Sequence, residues 1–160
     1  MKKINFLIKL FADKRLDFID ESENLYLSYV NKSESNFESG RILLFAGKLE
    51  ESVSLLYYSM YNLLLALLFR CGIKCENHAG SIILLKELFQ QEKLAEIISC
   101  AKKERIDKQY YTDFSITKSE CMDMMEKTEN FIFELKAKIK SLSTEDIKSF
   151  RAVLINSLKK

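Results

Sequence analysis

The sequence predicts an all-α protein, and three observations carry that expectation. It holds no proline and only four glycines in 160 residues, so nothing supplies the frequent turns of a β-sandwich or barrel. Apolar residues recur every three or four positions along most of the chain, the period of a helix with one buried face. Residues 52–69 carry no charge at all. That run is just long enough to raise a membrane span. Against lipid, Ser52, Ser54, Tyr57, Tyr58, Ser59, Tyr61 and Asn62 dot it with hydrogen-bonding groups. It reads as the surrounded central helix of a bundle, and no membrane association is expected.

The elements follow in order. A first helix over about 3–18 has Ile4, Leu7, Ile8 and Phe11 on one face. A second over about 23–45 repeats Tyr26, Val30, Ser33, Phe37, Gly40 and Leu44 at alternating four and three residues. The small Ser33 and Gly40 allow a neighbouring helix to come close. Ala46-Gly47-Lys48 turns the chain into the central helix, about 49–71, with Gly72 just past its end and Arg70 near its negative pole. Asn77 is placed to cap a helix over about 78–90, with Ile82, Ile83, Leu85, Leu88 and Phe89 facing a core. The next, about 92–108, buries Leu94, Ile98 and Ala101, and Arg105 falls on the continuation of that stripe. The pattern breaks over 110–116. Thr117 or Ser119 can then cap a long helix to about 140 with a seam of Cys121, Met125, Thr128, Ile132, Leu135 and Ile139. Ser143-Thr-Glu-Asp146 opens a last helix with Ile147, Phe150, Leu154 and Leu158 inward. With no linker or repeat, the expectation is one domain over 1–160.

Charge is uneven on a chain of formal net charge +2. Residues 17–51 hold eight acidic and three basic side chains, whereas 136–160 hold seven basic and two acidic. Basic ends permit contact with RNA or an acidic partner, yet they are also the ordinary solvated faces of helices. Lys9 interrupts the apolar start and no small-residue cleavage site follows, so a signal peptide is not expected. Cys71, Cys75, Cys100 and Cys121 show no disulfide-rich spacing and suit a reducing cytoplasm. Cys71-x3-Cys75-x2-His78 lacks a fourth ligand beside it, so neither a metal nor another cofactor is expected.

An ordered set of motifs then narrows the reading. Gly47, Ser52-Val53, Tyr57-Tyr58-Ser59-Met60-Tyr61, Gly72, His78-Ala79-Gly80, Leu88-Phe89 and Arg105-Ile106-Asp107-Lys108-Gln109-Tyr110 run in one sequence. In that order and spacing the set resembles the HEPN superfamily. More narrowly, it resembles the small stand-alone HEPN proteins often paired with a minimal nucleotidyltransferase. The resemblance spans about 23–140 and implies a HEPN-type up-and-down bundle of five to six helices. The end helices, 1–19 and 144–160, lie outside it as extensions.

The resemblance also implies chemistry. Many HEPN proteins are metal-independent endoribonucleases with an Arg-x4–6-His motif near a dimer axis. There the Arg holds the scissile phosphate bidentately and the His moves a proton. Arg105 occupies the Arg position, but no histidine follows it, and the chain's one histidine is His78, upstream on another helix. Tyr110 stands where the branch has its Asp-Tyr, with Gln109 replacing the Asp. On this reading Arg105 and Tyr110 are the catalytic candidates, and His78, Asp107, Gln109 and Tyr111 are candidates for binding nucleotide or RNA. Positions 105 and 110 lie about 140° apart around one helix. They converge only if the helix ends between them or a second subunit contributes. The implied assembly is a homodimer. The implied function is an RNA-targeting ribonuclease or toxin of a toxin-antitoxin or defence system. The alternative is a catalytically silent subunit that binds nucleotide or a nucleotidyltransferase antitoxin, with Tyr110 or Tyr111 as acceptor of AMP. By residue type alone, His78 reads as a packing or capping residue and the three tyrosines read as core.

Overall fold

The computed structural model describes residues 2–110 and 115–159, and side chains over 3–106 and 115–159. Seven helices appear among these residues: α1 (Lys2–Ala12), α2 (Glu23–Phe45), α3 (Leu49–Arg70), α4 (His78–Glu87), α5 (Glu92–Tyr110), α6 (Lys118–Ser141) and α7 (Thr144–Leu158). The fold is all-α, with α2 to α6 forming the bundle and α1 and α7 packed together at one end.

The uncharged run forms α3, and the bundle closes around it. Leu56, Tyr57, Met60, Leu63, Leu64, Ala66, Leu67 and Leu68 have no measurable exposure. Long and apolar enough to cross a membrane by composition, this helix instead has about two-thirds of its apolar window buried against protein. Its closest neighbour is α2. Gly40 faces Leu56, and a Cβ at position 40 would lie 3.2 Å from the leucine side chain. Across the same seam Ser52 donates to the Gly40 carbonyl at 2.8 Å, and Ser59 donates to the Ser33 carbonyl at 2.8 Å. The small residues therefore do two jobs. They let the axes approach, and they satisfy hydroxyls that are completely buried.

Helix ends follow the local chemistry. Gly47 sits at φ +76°, and the amides of Gly47 and Lys48 bond back to Leu44 and Leu43, a Schellman closure of α2. Asn77 caps α4 by accepting from the Gly80 amide at 2.8 Å. Thr117 with Glu120, and Ser143 with Asp146, form reciprocal capping boxes on α6 and α7.

Three local expectations need correction. The first helix stops at Ala12 rather than near 18, because Lys14 adopts a left-handed φ of +56° and the chain enters strand β1 (Leu16–Phe18). That strand pairs antiparallel with β2 (Ile73–Cys75), matching Leu16 with Cys75 and Phe18 with Ile73. Each strand has only three residues, too short for a period-2 pattern to register. Second, α4 ends at Glu87, and Gln90 at φ +55° makes the turn into α5. Third, the buried line of α6 runs through Met124 and Phe131, not Met125 and Ile132, which are only partly covered. A period of 3.6 passes between those neighbours, and position within the heptad does not decide which is inward.

The C-terminal extension is anchored by one side chain. Arg151 of α7 reaches the carbonyls at the end of α3, with Nη1 at 2.7 Å from Gly72 O and 3.1 Å from Cys71 O and Ile19 O. Gly72 takes φ +63° there. The cation meets the negative end of the central helix dipole and ties it to the Ile19 carbonyl just after β1, sharing the Gly72 carbonyl with the Ile19 amide.

Candidate functional site

Three elements meet at a cluster of rings. The central helix supplies Tyr57, Tyr58 and Tyr61, successive positions on one side of α3. Asn77 fixes the start of α4 and so places His78 in its first turn. The stripe of Leu94, Ile98 and Ala101 seats α5 on the core, and Arg105 continues that stripe over the tyrosines.

Arg105 lies over two of the rings. Its guanidinium carbon is 5.2 Å from the centroids of both Tyr57 and Tyr58, within cation–π range. Its Nη1 donates to the Tyr58 hydroxyl at 3.0 Å. Its Nε is buried and has no hydrogen-bond partner among the described residues. A buried guanidinium N–H without an acceptor is costly in a resting fold.

His78 is packed into the same cluster. Its ring stacks on Tyr61 with centroids 3.9 Å apart and 14° between planes, and presents an edge to Tyr58 at 6.4 Å. Its Nδ1 is 2.5 Å from the Tyr57 hydroxyl. Burial, then the positive charges of Arg105 and Lys102, hold its pKa below the ordinary histidine value. The position at a helix N-terminus acts in the same direction. Burial drives the Tyr57 phenol well above its usual range and pushes Tyr61 up to about 12, so both keep their protons. Near neutral pH the cluster therefore sets a neutral imidazole and the protonated Tyr57 and Tyr61 phenols beside the Arg105 guanidinium.

The structure thus brings together Arg105 and His78 from the sequence-derived candidates. Side chains of Asp107, Gln109 and Tyr110, and Tyr111 entirely, lie outside the described residues. The backbone of α5 runs unbroken to Tyr110, so the helix does not end between positions 105 and 110. Sequence reasoning took Tyr57, Tyr58 and Tyr61 as core and did not add them to the candidate site. Tyr57 and Tyr61 are buried, but their polar ends and ring faces build the site. Their spacing at i, i+1 and i+4 beside an uncharged run was the available signal.

Other places offer less chemistry. A hollow of about 830 Å³ between α5 and α6 is lined by Met60, Ile97 and Met124 with Glu96, Glu104 and Asp123. It includes none of the ring-cluster side chains. Among the described residues no three His, Cys, Asp or Glu side chains are grouped to hold a metal. Cys71, Cys75, Cys100 and Cys121 are all free thiols, and Cys75 points its sulfur at the Asn77 carbonyl.

An all-α bundle that holds an arginine and a histidine on tyrosines of its central helix defines the class of protein: a helical domain with a polar cluster set into its core. The family comparison agrees with the architecture. The model of the HEPN domain matches residues 26–139, which covers α2 through α6 almost completely, and the chain belongs to the HEPN family. The matched span leaves α1 and α7 outside, as the terminal extensions. No curated protein matches the chain.

Proposed function

We propose that this protein is an RNA-directed HEPN ribonuclease, a toxin or defence component acting in the cytoplasm, in which Arg105 grips the scissile phosphate. The observation that carries the reading is the Arg105 guanidinium, fixed by Tyr58 and two ring faces, with a buried Nε–H that has no acceptor among the described residues. Such a group is preorganised for the charge that develops when a ribose 2′-oxygen attacks phosphorus and the bond to the 5′-oxygen breaks. One proton leaves the 2′-hydroxyl and one reaches the 5′-oxygen. Tyr110 or Tyr111 from a second copy is the group assigned to that transfer. Positions 105 and 110 diverge on one unbroken helix, which favours a site shared across the two-fold axis of a homodimer.

The test is RNA cleavage without added metal. Arg105→Ala is expected to lose about a hundredfold or more in rate, the usual size for removing one preorganised donor. Cleavage by the variant equal to wild type would refute the reading.

A second reading is favoured by one observation. The motif histidine is missing, and His78 is held neutral with its Nδ1 occupied. A silent subunit that binds a nucleotide phosphate, or a nucleotidyltransferase antitoxin that attaches AMP to Tyr110 or Tyr111, needs the grip but no proton shuttle. If wild type binds RNA or nucleotide through Arg105 and cleaves nothing, this second reading stands.

A further inference from the structure

We propose that His78 is the second phosphate donor of the Arg105 site, a neutral imidazole anchored by the Tyr57 hydroxyl that presents its Nε2–H to a non-bridging phosphate oxygen. The inference rests on the phosphate-gripping reading above and assigns this histidine a role other than moving protons.

The argument begins with Tyr57. Its ring is fully buried, and a buried hydroxyl hydrogen needs an acceptor. Among the described residues the one hydrogen-bond partner of that hydroxyl is His78 Nδ1, at 2.5 Å. The phenol therefore donates and Nδ1 accepts, so Nδ1 carries no proton. A neutral imidazole has one N–H, and it must then be on Nε2. The reverse arrangement, with Nδ1–H donating to the phenol oxygen, would leave the buried phenol hydrogen with no acceptor.

Next comes charge. The groups facing the ring are Tyr57, Tyr58 and Tyr61 from α3, and Arg105 and Lys102 from α5. Tyr57 and Tyr61 keep their protons, and both α5 side chains bring positive charge. Among the described residues no carboxylate is placed to stabilise an imidazolium, and burial opposes it further. The ring is also oriented before any ligand arrives, by stacking on Tyr61 and by the edge contact with Tyr58.

Tyr58 joins the two donors, since it accepts from Arg105 and touches the ring of His78. No hydrogen bond to Nε2 is found among the described residues, and Arg105 Nε likewise has no partner there. An Nε2–H without an acceptor, on one tyrosine framework beside the Arg105 guanidinium, matches an anion that offers several oxygens. A phosphodiester does. The histidine of a proton-transfer pair would instead have its Nε2 lone pair free.

The chain's single histidine makes the test direct, because nitrogen-15 labelling of histidine reports one imidazole. Wild type is expected to show the Nε2–H tautomer at about pH 7–8, above the ordinary histidine value of about 6.5. Adding a 2′-O-methyl oligoribonucleotide, which cannot be cleaved, should shift Nε2 and its proton and leave Nδ1 nearly unchanged. In binding of the same oligonucleotide, His78→Gln keeps an amide donor and should lose less than about tenfold. His78→Leu removes it and should lose about ten- to a hundredfold, the range for a hydrogen bond to a charged group. The Nδ1–H tautomer, an imidazolium at pH 7, an Nε2 that ignores the oligonucleotide, or equal loss in Gln and Leu would each overturn the proposal. With Arg105→Ala still weakening binding, the phosphate-gripping reading would survive those results. If Arg105→Ala binds as wild type does, that reading fails and takes this one with it. The tautomer measurement uses wild type alone, so it stands even if His78→Leu does not fold.

Discussion

Replacing Gly72 with alanine tests whether the C-terminal extension is tied to the central helix by Arg151. A Cβ at position 72 would overlap Arg151 Nη1 and lie 2.6 Å from the Ile19 carbonyl oxygen, at a backbone φ of +63°. The left-handed conformation costs a non-glycine residue about 1 kcal/mol. Expelling the guanidinium costs more. Nη1 has two hydrogens for three carbonyls, so at most two good bonds are lost, each worth about 1.5–3 kcal/mol when the donor is charged and buried. Arg151 is half-buried, so screening by water reduces their sum to about 2 kcal/mol. Gly72→Ala is then expected to cost about 3 kcal/mol and Arg151→Ala about 2 kcal/mol. The double variant should cost about 3 rather than 5 kcal/mol, because both singles lose the same bonds. For a chain of this size Gly72→Ala corresponds to a fall in Tm of about 6–12 °C. Urea denaturation of all four proteins measures the cycle. Additive losses, or an Arg151→Ala cost below about 0.5 kcal/mol, would show that the guanidinium does not hold the extension.

Three further outcomes follow from the site and the assembly. Tyr58→Phe keeps both ring contacts and removes the hydroxyl that accepts from Arg105, so RNA affinity by fluorescence anisotropy should fall about two- to tenfold with the fold intact. Unchanged affinity would mean that Tyr58 does not position the guanidinium. The depressed pKa of His78 makes stability depend on pH: below about 6.5 the unfolded chain takes up a proton that the folded one refuses. Stability is therefore full above that pH and falls as the solution is acidified, and His78→Gln should remove about one proton from the slope. An identical slope in the variant would contradict the neutral imidazole. Light scattering at tens of micromolar should give twice the chain mass if two copies share the site, and a monomer there would sink the shared-site reading.

The all-α class, the central position of α3 and the caps at Asn77, Thr117 and Ser143 were legible because each is local. Hydrophobic period, charge-free length and capping residues act within a few positions of where they are read. The seam of Ser33 and Gly40 against α3 was legible for a related reason, since small residues on a helical period have few other uses. The β1–β2 pairing was not, because it joins segments more than fifty residues apart through three residues each. Nor was the line through Met124 and Phe131, where two adjacent apolar residues compete and the contour of α3 decides.

The candidate site divides along the same boundary. Arg105 was reached through the family resemblance, and its place on the apolar stripe of its own helix agreed with an inward position. His78 could not be joined to it from spacing, since 27 positions and a helix turn separate them along the chain. Only the packing of α4 and α5 on one face of α3 makes them neighbours. The tyrosines were read as core, and Tyr57 and Tyr61 are buried there, but the sequence did not show that their polar ends meet the candidate site. Tyr57 is inaccessible, and because it is inaccessible its hydroxyl has to bond within the protein, which fixes the imidazole. An exposed phenol would have water for a partner and would specify nothing. Burial of a polar tip therefore turns a core residue into the part of the site that sets its geometry.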